Sequence, residues 1–100
     1  MKTVSVLKVP NGKMLKLHIE AEASITAIQI HGDFFLHPEE GIEMLESALQ
    51  GLPVSQDPLL YSTALQQAIS KHSLQLLGVS PENIASALVQ GLKNMQEARQ

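Results

Sequence analysis

From Met14 to Ala21 the chain alternates strictly, with Leu15, Leu17 and Ile19 on one side and Lys16, His18 and Glu20 on the other. A period of two belongs to an extended strand with one dry and one wet face, so this stretch predicts a half-buried strand. Thr3 to Val9 is apolar or β-branched at most positions and predicts a strand before it. Val4, Val6, Leu7 and Val9 do not share one parity, which calls for a bulge or for cover on both sides. Between the two lies Pro10-Asn11-Gly12-Lys13, in which Asn-Gly is a tight-hairpin signal because both residues tolerate positive φ. Pro10 has no amide hydrogen to give to a ladder and belongs at a strand end or edge. After the turn Glu22-Ala23-Ser24, Ile25 to Gly32 predicts a third strand with Ile28 and Ile30 on one face. Gly32 permits a bend or the close approach of another backbone, and Asp33 follows as a turn residue.

The period then changes. Pro38 as first helical residue, with Glu39 and Glu40 in the first turn, predicts a helix whose apolar stripe is Ile42, Leu45, Ala48 and Leu49 and whose wet face is Glu39, Glu43 and Glu46. Gly51 is its expected stop. Asp57-Pro58 reads as N-cap and first residue of a second helix of about 14 residues, with Tyr61, Ala64, Leu65, Ala68, Ile69 and His72 toward one face. Ser80-Pro81-Glu82 repeats the cap and opens a third, carrying Ile84, Ala87, Leu88, Gly91, Leu92 and Met95 at helical spacing, its end fraying from Gln96. Leu74 to Val79 is short and apolar, a fourth strand or a buried connector. Strands followed by helices predict an α+β domain over residues 1–100. Its small antiparallel sheet has three or four strands, about three helices lie on one face, and the outer sheet face carries Lys16, His18, Glu20 and one phenylalanine.

Both phenylalanines stand at the handover between sheet and helices, in Gly32-Asp33-Phe34-Phe35. Adjacent residues of extended chain point to opposite faces, so the two rings cannot enter the same side. Two readings stand: both rings are packed, one under a helix and one under a loop, or one ring and the Asp33 carboxylate face a partner or ligand.

Composition narrows the function classes. Hydrophobic residues at 44% against 17% charged are ordinary globular usage, and no segment has the polarity of a disordered tail. No run approaches 18 apolar residues, the N-terminus has no apolar export core, and there is no cysteine for a disulfide, thiolate nucleophile or thiolate metal site. These features predict a cytoplasmic protein without membrane attachment. The net charge of −3 hides an asymmetry: Lys2, Lys8, Lys13 and Lys16 precede the first acid, whereas Glu20 to Asp57 holds eight acids and no Lys or Arg. A basic end and an acidic flank follow. Four lysines without aromatic neighbours fall short of a nucleic-acid patch. His18, His31, His37 and His72 lack the i, i+4 helical pair of a zinc hydrolase, and His31, Asp33 and His37 are a metal set only if a bend closes them. No nucleophile elbow, phosphate loop or dinucleotide fingerprint occurs. Lys8 and Lys13 flank the hairpin turn, where two ammonium groups could meet an anion or simply keep the turn soluble.

Four short motifs carry a resemblance. Lys8-Val9-Pro10-Asn11-Gly12-Lys13, Gly32-Asp33-Phe34-Phe35 with Pro38-Glu39, Leu49-Gln50-Gly51-Leu52-Pro53 and Gly78-Val79-Ser80-Pro81-Glu82, in that order, resemble the accessory C-terminal domain of lipoate-protein ligases, most of all the free-standing small subunit of two-part, archaeal-type ligases. The resemblance covers nearly the whole chain and departs at Glu20 to Ser24, where a polar, glycine-bearing turn is expected. It implies a non-catalytic accessory subunit in a heterodimer with a catalytic subunit that binds lipoate, ATP and Mg2+, forms lipoyl-AMP and passes the lipoyl group to a lysine of lipoyl-domain acceptor proteins. Nothing in the chain matches the catalytic part, so no activity is expected of it alone. The residues the resemblance places toward the partner or the adenylate are Lys8, Pro10, Gly12, Lys13, Gly32, Asp33, Phe34 and Phe35. A stand-alone small-ligand-binding module or adaptor is the alternative.

Overall fold

The computed structural model describes residues 1–9 and 13–98. Three strands, β1 (Lys2–Lys8), β2 (Met14–Ala21) and β3 (Ile25–Gly32), form an antiparallel sheet in that order. A short ribbon pairs β4 (Phe35–His37) with β5 (Gln75–Leu77), also antiparallel. The helices are α1 (Gly41–Leu49), α2 (Pro58–Lys71) and α3 (Pro81–Ala98), and the fold is α+β as the pattern predicts.

The sheet has one covered and one bare face. Leu15, Leu17 and Ile19 of β2 and Ile28 and Ile30 of β3 are buried beneath the helices, while Lys16, His18, Glu20, Gln29 and His31 are exposed on the other side. α3 lies across β1 and β2, α1 lies on β3, and α2 packs between the two helices. α3 approaches β1 closely, and Ser5 Oγ donates to the Ala87 carbonyl oxygen over 2.7 Å. A Cβ on Gly91 would stand 3.0 Å from that of Ser5, so two small residues set this spacing.

β1 has no bulge. Its register with β2 is continuous, and the mixed parity resolves differently from either expectation: Ser5 and Val9 are buried, whereas Val4 and Val6 stand in solvent, 48% and 57% exposed. The irregularity is instead at Glu20/Ala21, where the β2–β3 register shifts and Thr26 Oγ1 donates to the Glu20 carbonyl oxygen. The expected Asn-Gly turn, with Pro10, lies outside the described residues.

Two helix starts are as expected. Asp57 caps α2 by accepting from the Leu59 amide, with Pro58 in the first turn. At α3 Ser80 Oγ accepts from the Asn83 amide while Asn83 Oδ1 accepts from the Ser80 amide, a reciprocal capping box with Asn in the usual Glu position. α3 stays helical to Ala98, past the expected fraying point. α1 corrects the expectation. It begins at Gly41, not Pro38: the Pro38, Glu39 and Glu40 carbonyls accept from the amides three residues on, Gly41, Ile42 and Glu43, in tight turns that precede the helix. Glu46 is not on a purely wet face, since its Oε2 accepts from the Ile30 amide at the outer edge of β3. Gly51, at φ +88°, turns the chain so that its amide donates to the Ile25 carbonyl oxygen. His72 is exposed.

Leu74 to Val79 does contain a strand, but it joins the ribbon and not the main sheet. Tyr61 is fully buried: its hydroxyl donates to the Pro53 carbonyl oxygen and accepts from the Ser55 amide, both over 2.8 Å, tying the α1–α2 connection to α2.

Candidate functional site

The site is built where β3 ends. The Asp33 amide donates to the Met14 carbonyl oxygen over 2.9 Å, so the chain leaves β3 pressed against the start of β2. Gly32 permits this. A Cβ there would overlap the Met14 carbonyl oxygen, the close backbone approach that a glycine in a strand signals.

β4 then fixes the two rings. Phe34 is half-buried against the core, next to Gly32 and to Gly78, whose φ of +98° brings the end of β5 against the Phe34 backbone. Phe35 points outward and is 56% exposed, while Leu36 returns to the core. The rings therefore have different roles, and the outward one lies on the ribbon and not on the outer face of the main sheet, where the sequence reading places a phenylalanine. Across the ribbon Phe35 pairs with Leu77, itself 53% exposed, and the His37 ring lies parallel to Phe35 at 6.5 Å. On the other side of Phe34 and Phe35, Ile30, His31, Glu39 and Ile42 line a second depression.

Lys13, Asp33, Phe34, Phe35, Leu77 and Gly78 line one surface depression. Four of the sequence-predicted residues thus converge, with Gly32 behind them. Lys8 is exposed at the end of β1, on the register opposite Met14, and does not line the depression. Pro10 and Gly12 lie outside the described residues. Leu77 was missed by sequence reasoning, though its signal was present: Leu76-Leu77 is an adjacent apolar pair in extended chain, and like Phe34-Phe35 it must turn one member outward.

Lys13 and Asp33 are both exposed and form no ion pair with each other among the described residues. One ammonium and one carboxylate over an aromatic and aliphatic floor suit a protein surface carrying apolar and mixed charged groups. They suit a phosphate poorly, because the Asp33 carboxylate repels the anion that Lys13 attracts. Among the described residues no three His, Asp or Glu side chains are grouped to hold a metal ion. His31 meets His18 edge-on at 5.5 Å and His37 stacks on Phe35, so the His31, Asp33 and His37 set is not assembled. Among those residues no helix is long and apolar enough to cross a membrane.

No protein-family model and no curated protein sequence matches the chain. Among solved structures, it matches a chain from an archaeal lipoylation system, a bi-partite lipoate protein ligase and its E2 lipoyl domain from Thermoplasma acidophilum. The TM-score is 0.72 at 25% identity, over 88% of this chain and 94% of that one. This protein is thus similar, over most of its length, to one component of a lipoylation system.

Proposed function

We propose that this chain is the non-catalytic accessory subunit of a two-part lipoate-protein ligase. It works as a heterodimer with the catalytic subunit in the ATP-dependent activation of lipoate to lipoyl-AMP, which precedes transfer to a lysine of lipoyl domains. The observation that carries the reading is the similarity, over most of its length, to a component of the archaeal lipoylation system. The alignment spans most of both chains.

The surface supports a docking role. Phe35 and Leu77 form an exposed apolar pair beside Lys13 and Asp33, which make no ion pair among the described residues, and an exposed aromatic with polar groups at its rim is the composition of an interface anchor. Lipoate, ATP and Mg2+ are bound by the catalytic subunit. Its contribution is to favour the state of the partner that holds both substrates in reacting geometry and to exclude water from them.

The test is lipoyl-AMP formation by the catalytic subunit with and without this chain. The expected result is activation only in the pair and none by this chain alone. Asp33→Ala should leave the fold intact and depress activation in the reconstituted pair. A rate that the chain does not alter overturns the reading. A lipoyl adduct formed on Lys8 or Lys13 would make the chain an acceptor instead, because an acceptor consumes lipoyl-AMP without aiding its formation.

A further inference from the structure

The two edges of the main sheet are treated differently. At the β3 edge the Ile25 amide donates to Leu52, its carbonyl accepts from Gly51, Ser24 bridges Pro53, and Glu46 takes the Ile30 amide. At the β1 edge nothing of the kind occurs among the described residues. Met1 and Ala21 exchange both of their hydrogen bonds, and the Val9 amide donates to Lys13, so the odd-numbered residues of β1 face β2. By the alternation of an antiparallel ladder, Lys2, Val4, Val6 and Lys8 turn their amides and carbonyls outward. The side chains of these four are exposed on the bare face of the sheet.

An open edge bearing two exposed valines is a template for strand addition, and such edges are ordinarily blunted or used. The charges say by what. Lys2 lies 3.9 Å from Glu20, whereas Lys8 has no acid partner among the described residues, and the register puts Lys16 of β2 beside Val6. The Lys8 end is therefore the basic one. A second copy pairing antiparallel about Ser5 would set Lys2 against Lys8 twice, like charges directly opposite. The Lys8 end also adjoins the candidate site: Lys8 pairs with Met14, and the Met14 carbonyl holds Asp33.

We infer that the β1 edge takes up an extended segment of the catalytic subunit, with apolar side chains alongside Val4 and Val6 and an acid at Lys8. The segment extends the sheet and leads the partner on to Lys13, Asp33 and Phe35. The identity of the partner rests on the proposed function; the open edge does not.

Amide exchange in the free chain should be fast at Val4 and Val6 and slow at Thr3, Ser5 and Leu7, and complex formation should slow Val4 and Val6 at least about tenfold. Val6→Pro removes an outward amide and leaves the β1–β2 ladder its bonds, and should weaken the complex about tenfold. Lys8→Glu, which alters no backbone group, should weaken it most at low salt. A complex that forms with no protection at Val4 and Val6, or with both variants binding as the parent does, overturns the inference while leaving the accessory role standing. Self-association of the free chain through β1 overturns it in favour of a second copy. Absence of any complex with the catalytic subunit overturns the inference and the proposed function together.

Discussion

The covered face of the sheet and the β4–β5 ribbon are built from the same kind of residue and put it to opposite use. Between α3 and the sheet, Leu17, Ile19, Ile84, Leu88 and Leu92 are all but inaccessible. On the ribbon Leu36 is buried, yet Phe35 and Leu77 beside it stand more than half in water. The difference comes from parity and length. An eight-residue strand that alternates cleanly delivers Leu15, Leu17, Ile19 and Ala21 to one face, whereas a three-residue strand with adjacent apolar residues must turn one of each pair outward. The first arrangement converts apolar area into stability. The second leaves it exposed, where it contributes only when something covers it.

The comparison breaks first if the covered face does not hold the fold. Leu88, fully buried on α3, should cost about 2–5 kcal/mol when cut to alanine, by lost transfer energy and the cavity left behind. Against a total stability of about 5–15 kcal/mol for a domain of this kind, that is a large share. Chemical denaturation should show a lower midpoint with an unchanged slope. Gly32→Ala tests the joint between the two regions. Its Cβ would overlap the Met14 carbonyl, a backbone atom that cannot swing aside, so a cost of about 1–3 kcal/mol is expected. The displacement should register in the NMR shifts of Asp33 and Phe34 before those of α3.

Tyr61→Phe is smaller. It leaves the Ser55 amide and the Pro53 carbonyl without their partner, a loss of about 1 kcal/mol. Burial raises the Tyr61 phenol above its ordinary value of 10.0, with the hydrogen bond from Ser55 pulling the other way. The unfolded phenol therefore ionises first as pH climbs past 10, the folded state then holds more protons, and stability falls with rising pH. Below pH 10 both states keep the proton and the contribution is constant. In Tyr61→Phe this part of the alkaline loss should be absent, which a comparison of denaturation midpoints at pH 8 and pH 11 checks.

Much of this was legible in the sequence, and the reasons are physical. β2 and β3 were readable to the residue because alternation is a direct image of burial, and α2 and α3 because Asp57-Pro58 and Ser80-Pro81 are local signals that need no tertiary context. What was not legible depends on contacts distant along the chain. β4 and β5 exist only because they pair across nearly forty positions, and three residues show no period. Glu46 reads as one more solvated acid until β3 brings the Ile30 amide to it. The same holds for the site. Asp33, Phe34 and Phe35 could be singled out as a cluster in sequence, but that Lys13 and Leu77 share their depression follows from how β2 and β5 are placed.

The smallest expected effect on folding is the sharpest test of the comparison. Phe35 is exposed, so Phe35→Ala should change stability by no more than about 0.5 kcal/mol, as surface substitutions generally do. Phe34→Ala, at a ring half-buried against the core, should cost more than Phe35→Ala but less than the about 3–5 kcal/mol of a fully enclosed phenylalanine. In complex with the catalytic subunit the order should reverse, with Phe35→Ala the more damaging of the two, because the outward ring has more area left to bury. Thermal unfolding of each variant alone, set beside titration calorimetry of each with the partner, measures both halves. If Phe35→Ala destabilises the free chain as much as Phe34→Ala does, the ribbon is part of the core and the contrast between the two regions fails. If it is silent in both measurements, the ribbon's exposed apolar area is not what the partner covers, and the contact must be sought along β1.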